Sequence, residues 1–188
     1  MPRTTAQQVI LELIRDANGE WVGKKKLFKA FYFAHLYYAE EQSGLLTDWP
    51  IARMPEGPGI DNSSKLFGEL VQLGCLAIDV VQEGPFPEYR YRLTEKAAAE
   101  PSLPEDARKS IREAVDFAAP RSAEELTQIT HERSRAWREG KDGDILDIYI
   151  DIIPEDEYEQ AQAKLANLDR VLQEALAETT HLNPSASS

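Results

Sequence analysis

The sequence predicts a mainly α-helical domain with a small β-hairpin and a long C-terminal helix. Two observations predict it. Apolar residues recur at helical spacing through most of the chain, and only one stretch, residues 76–93, changes clearly to a period of two. With 188 residues the chain is long enough for one good core or two small ones.

In the first helix, over 4–17, Ala6, Val9, Ile10, Leu13, Ile14 and Ala17 share a face, with Thr4 or Thr5 as cap and Asn18-Gly19 as stop. A short extended piece, 20–22, leads into "KKKLFKAFYFAHLYYAEE", residues 24–41. This helix is apolar around so much of its circumference that it must be covered on more than one side, which makes it the central core helix. Residues 43–59 read as a long connection broken by Pro50, Pro55, Gly57, Pro58 and Gly59. A third helix runs from about 63 to 73, with Leu66, Phe67, Leu70 and Val71 inward. The hairpin pairs 76–82 with 89–93 across "EGPFPE". Thr94 is placed to cap a short helix. Ser102 with Glu105, and Ser122 with Glu125, are spaced as capping boxes for two further helices separated by Pro120. The apolar stretch 144–153 fits a strand or a short helix equally well. In 155–178, Tyr158, Ala161, Leu165, Leu168, Leu172 and Ala175 alternate three- and four-residue steps, the stripe of a packed or self-associating helix.

Helix, short strand, helix, helix, hairpin is the element order of a winged helix. The expected organisation is therefore a winged-helix-like domain over 4–153, a C-terminal helix over 154–180 packed on it, and a flexible tail over 181–188.

The formal net charge of -12 disfavours phosphate backbones and anionic membrane surfaces. The third helix of a winged helix usually reads DNA, but here it offers Asp61, Lys65 and Glu69, a single cation. One cysteine, Cys75, allows no intramolecular disulfide, and three scattered histidines build no Cys-rich zinc site. The N-terminus lacks a signal-peptide core and no apolar run is long enough to span a bilayer, so a cytoplasmic protein is expected.

Three separated segments together resemble one family. "KLFKAFYFAHLYY" (26–38) resembles its opening helix, "GPGIDNSSKLFGEL" (57–70) its Gly-Pro motif before a helix, and "LTQITHERSRAWREG" (126–140) its Thr-His…Trp motif. In this order they are similar to the Panacea domain of SocA-like antitoxins of bacterial and phage toxin–antitoxin systems. The resemblance implies neutralisation of a cognate toxin by direct protein–protein binding, either by blocking it or by handing it to a protease. It implies no enzyme activity and no cofactor, and it places Lys26, Lys29, Tyr32, Gly57, Pro58, Thr130, His131 and Trp137 on motif positions. The sequence departs from the family pattern at "MPEGPGIDN", where an aromatic-Gly-Pro is more usual, and the terminal helix exceeds the match. A winged-helix DNA-binding regulator is the alternative, and a homodimer is compatible with the terminal stripe.

The cluster "THERSRAWREG" (130–140) sets Arg133, Arg135 and Arg138 around Trp137 in an acidic chain. Trp and Arg dominate interface hot spots. The expectation is a divided role. Thr130, His131 and Trp137 hold the loop from inside, while one or more of the arginines, Arg133 and Arg135 foremost, meets an acidic partner. His131 could act as a general base only beside a nucleophile, and none has a recognisable context. Lys24, Lys25 and Lys26 at a helix N-terminus oppose the macrodipole and read as a solvated helix start. "GPG" lacks a phosphate-loop lysine, and "KDGDILD" lacks the closing Glu of a calcium loop.

Overall fold

Nine consecutive buried residues, Leu27 to His35, run along one helix in the computed structural model, and the other elements of the first unit are arranged to cover them. The structure describes residues 4–82, 85–99 and 103–181. It divides into two units, Met1–Ile152 and Ile153–Ser188. The described residues are mostly helical, with small antiparallel sheets.

Helix α1 (Ala6–Asp16) starts with a full capping box between Thr5 and Gln8. Strand β1 (Glu20–Val22) leads into α2 (Lys24–Glu41). Helix α3 (Ser63–Gln72) follows later, then β4 (Leu76–Val81) and β5 (Glu88–Leu93). These strands form an antiparallel sheet of order β1-β5-β4, with Trp21 and Ile78 both opposite Tyr91. Tyr91 is buried and meets Phe67 of α3 at 5.0 Å between ring centroids, joining sheet to helix. Helix α4 (Glu105–Ala118) lies along α2, where Phe117 packs edge-on against Phe33 at 4.7 Å. Buried Glu12 of α1 is held by Arg15 and, at 3.3 Å, by Arg108 of α4.

Four sequence expectations are corrected. The connection 43–59 contains a second hairpin, β2 (Ile51–Met54) with β3 (Gly57–Ile60), in which Ile51 faces Ile60 and Met54 faces Gly57. Its two-residue turn, Pro55-Glu56, closes because Gly57 takes φ +101. Glu105 does not take the third helical position that a capping box with Ser102 requires. Pro104 occupies the N-cap position and Glu105 is the first helical residue, since the residue before a proline is kept out of the helical region. Ser102 itself lies outside the described residues. Val71 is 45% exposed instead of inward; one turn past Phe67, it overhangs a cavity of about 440 Å³ between α3 and the β4–β5 hairpin, shared with Ile78 and Tyr89. Thr94 precedes a 3-10 turn, Glu95–Ala99, but its hydroxyl donates to the Gly74 carbonyl at 2.6 Å.

The Ser122–Glu125 capping box forms as expected and opens α5 (Ala123–Arg133), which Ser134 separates from the short α6 (Arg135–Glu139). The undecided stretch 144–153 is neither a strand nor an α-helix. Ile145 bridges Ala52 at the edge of β2, and Ile148–Asp151 forms a 3-10 turn. The second unit contains α7, Glu155–His181. Of the expected tail over 181–188, His181 is the last residue of α7, and 182–188 lie outside the described residues. Among the described residues, no helix is long and apolar enough to cross a membrane.

Leu70 and Val71 offer a direct test of the α3 packing. Leu70→Ala, at a site 1% exposed, should lower unfolding free energy by about 2–5 kcal/mol in urea denaturation, and Val71→Ala by about 0.5 kcal/mol or less. Equal losses would contradict the placement of Val71 at the cavity rim.

Candidate functional site

Lys29 sits one turn into α2 on a helix face that points at the β2–β3 hairpin. It is 2% exposed. A buried amine needs acceptors, and the tight Pro55-Glu56 turn supplies them. Nζ donates to the Glu56 carbonyl and to the Pro58 carbonyl, the latter at 3.1 Å. Burial pulls the Lys29 pKa down to about 7, with Glu56 opposing and Lys25 adding to the shift. A neutral amine carries two N–H bonds, the number that the two carbonyls accept.

Thr130 of α5 closes the junction. Its hydroxyl lies 3.0 Å from both the Leu126 and Thr127 carbonyls, so it caps its own helix interior. A Cβ added to Gly57 would sit 2.3 Å from Lys29 Nζ and 2.5 Å from Thr130 Oγ1. Gly57 is thus required twice, by its φ and by the approach of two side chains.

The next residue, His131, stacks on Trp137, with ring centroids 3.8 Å apart and planes 9° from parallel. Trp137 Nε1 donates to the Met54 carbonyl at 2.7 Å. The Arg53 guanidinium lies 4.4 Å from the indole centroid, its Nε donates to the Trp137 carbonyl at 2.9 Å, and it pairs with Asp142. Burial first, then the Lys29 charge, lowers the His131 pKa below the ordinary histidine value and favours the neutral ring.

Asp151 ties a second knot. It accepts from Tyr32 Oη at 2.6 Å, from Ser134 Oγ at 2.8 Å and from the Ala136 backbone N–H at 2.8 Å. Burial and the adjacent carboxylate push the Tyr32 phenol up, so it stays protonated and donates.

The site residues expected from sequence therefore separate. Lys29, Gly57, Pro58 and Thr130 meet at one junction, and His131 with Trp137 adjoins it. Tyr32 joins through Asp151. Lys26 is elsewhere, donating to the Ala119 carbonyl at 2.9 Å where α4 ends. The arginines divide differently from the expectation. Arg135 is buried and donates to the Ile150 carbonyl at 2.9 Å, because α6 turns it inward against the 3-10 turn. Arg133 and Arg138 are exposed, and Arg138 donates to the Glu132 carbonyl. Sequence reasoning missed Arg53 and Asp151. The apolar Ile51 and Ile60 set symmetrically about Pro-Glu-Gly were a signal for the hairpin that carries Arg53; nothing singled out Asp151 in "DILDIYIDII".

Beside the junction opens an apolar cavity of about 340 Å³, lined by Phe28, Met54, Pro55 and Pro58 and edged by Lys24 and Lys25. Lys25 pairs with Glu56 at 3.2 Å with both groups more than half exposed, an interaction worth little by itself. No group of His, Cys, Asp or Glu among the described residues could hold a metal ion. No known protein family, no curated protein and no solved structure matches the chain.

The Gly57 geometry gives a controlled comparison with Gly19, which also has positive φ (+84) but has nothing within 4 Å of an added Cβ. Gly19→Ala should cost about 1–2 kcal/mol, the conformational strain alone. Gly57→Ala should cost a further ~1–3 kcal/mol for overpacking against Lys29 and Thr130. Equal thermal shifts would contradict the close approach.

Proposed function

We propose that this chain is an antitoxin-type protein that neutralises a cognate bacterial toxin by direct protein–protein binding. The observation that carries the reading is convergence. The three separated segments that resemble the Panacea domain meet at one place: Lys29 of the first on the carbonyls of Glu56 and Pro58 flanking the second, with Thr130, His131 and Trp137 of the third closing over Gly57 and Met54.

The chemistry of that unit favours binding over turnover. The Thr130 hydroxyl is taken up by its own helix, and Lys29 by two backbone carbonyls. Cys75, the one thiol, is buried at the start of β4. Around this core, Arg133 and Arg138 project to solvent in a chain of net charge -12, and we assign to them the contact with an acidic patch on the toxin. Toxin handling by blocking and by delivery to a protease both begin with this contact.

The same reading includes a winged-helix-like first unit, supported by the order α1, β1, α2, α3, β4–β5, into which the β2–β3 hairpin is inserted between α2 and α3, and by the sheet order β1-β5-β4. The DNA-binding alternative is weakened by the face of α3. Its exposed residues include Ser64, Val71 and Gln72, and its one cation, Lys65, lies 5.9 Å from the Trp49 ring centroid. Neutral and apolar groups there neither neutralise phosphates nor read base edges with the usual arginines.

Co-expression with the product of an adjacent reading frame tests the proposal. That product alone should arrest growth, and this chain should relieve the arrest. Arg133→Ala with Arg138→Ala should weaken toxin binding in calorimetry by about tenfold or more while leaving the melting temperature nearly unchanged. Binding of a defined DNA duplex at physiological salt, with no protein partner found, would overturn the proposal in favour of the regulator.

A further inference from the structure

The second unit offers an interaction surface of its own. In α7, Tyr158, Ala161, Leu165, Leu168, Leu172 and Ala175 step by three and four, the a and d positions of three successive heptads. Leu165, Leu168 and Leu172 are 55%, 54% and 51% exposed. The opposite face is stitched to itself: Arg170 donates to Glu174 at 2.7 Å and to Asn167 at 3.0 Å. One face is satisfied within the helix, and the other presents a regular row of leucines to solvent.

The flanking charges say what covers it. Lys164 occupies a g position and Asp169 the following e position, five residues on. Five residues turn a helix by about 140°, so the two cannot pair within α7. Among the described residues neither carries an ion pair. In a parallel two-stranded coiled coil, g of one strand faces the e five residues further along the other. Lys164 then meets Asp169 of the second copy, and the symmetry makes the pair twice. The next such pair, Val171 with Leu176, is apolar and widens the seam. In an antiparallel pair g faces g and e faces e, so Lys164 and Asp169 stay apart. The arrangement is self-complementary only for an identical helix running the same way in register.

We infer that α7 is a dimerisation helix that pairs with a second copy of this chain as a parallel, in-register coiled coil. The pairing stands whether or not the first unit binds a toxin. Because two of the d positions are alanine, the dimer forms reversibly with concentration.

The test uses the full-length chain in light scattering and sedimentation equilibrium. Wild type should shift from monomer to dimer as concentration rises, and Leu168→Glu should weaken association about tenfold or more. Lys164→Glu and Asp169→Lys should each weaken it by placing like charges opposite one another. Mixing those two variants should restore dimers, because both interhelical pairs are attractive in the mixed species. Leu168→Cys should cross-link to itself under oxidised glutathione, as d faces d only in a parallel register. A monomer at every concentration, no recovery on mixing, or failure of the Leu168→Cys cross-link would each overturn the inference.

Discussion

The first unit depends on where one amine goes. Lys29 lies within the nine-residue buried run of α2, and its removal from water is tolerable only if its N–H groups find acceptors. The acceptors are the carbonyls on either side of Gly57, at the tip of a two-residue hairpin turn. This single requirement fixes the hairpin against α2, and Gly57 must lack a side chain so that Lys29 and Thr130 can approach. The hairpin in turn presents the Met54 carbonyl to Trp137 and places Arg53 against the indole. Trp137 then holds α6, and α6 with Asp151 holds Tyr32 one turn further along α2. The ring of contacts begins and ends on the same helix.

Much of this was legible in the sequence, for reasons that differ by element. Helix α2 matches its expected bounds because apolar residues run almost unbroken from Leu27 to Ala39 and no breaker interrupts it. The wing-like pairing of β4 and β5 was readable because Glu88–Leu93 alternates strictly and Leu76–Val81 is rich in β-branched residues. Hairpin β2–β3 was hidden by its composition. A strand reading Gly-Pro-Gly-Ile has neither alternation nor β-branched bulk; Lys29 holds it through the Pro58 carbonyl, and its partner strand is bridged at Ala52 by Ile145, both distant in sequence. The stretch 144–153 was ambiguous for the same reason: Asp151 takes its role from Tyr32, Ser134 and the Ala136 N–H. Local pattern carries no information about such partners.

The cluster over 130–140 shows how burial, more than residue type, sorts cations. Arg133, Arg135 and Arg138 look alike in sequence. A short helical turn after Ser134 sends Arg135 inward to a backbone carbonyl and leaves the other two outside. In a chain of net charge -12, inward cations are structural and local, whereas outward ones offer long-range attraction to acidic partners. The proposed toxin contact draws on the second kind, and α7 keeps its own recognition chemistry in a separate unit.

The dependence of the fold on Lys29 is tested most directly by comparing wild type with Lys29→Met in chemical denaturation from pH 6 to pH 10. The folded amine has a pKa of about 7 against an ordinary value of 10.5. Between those values the unfolded chain binds the extra proton, so the stability of the wild type rises with pH relative to a variant that lacks the group. The account predicts that Lys29→Met is the less stable protein at neutral pH and that its deficit widens as pH rises above 7. Parallel stability curves, or a methionine variant as stable as wild type throughout, would contradict it.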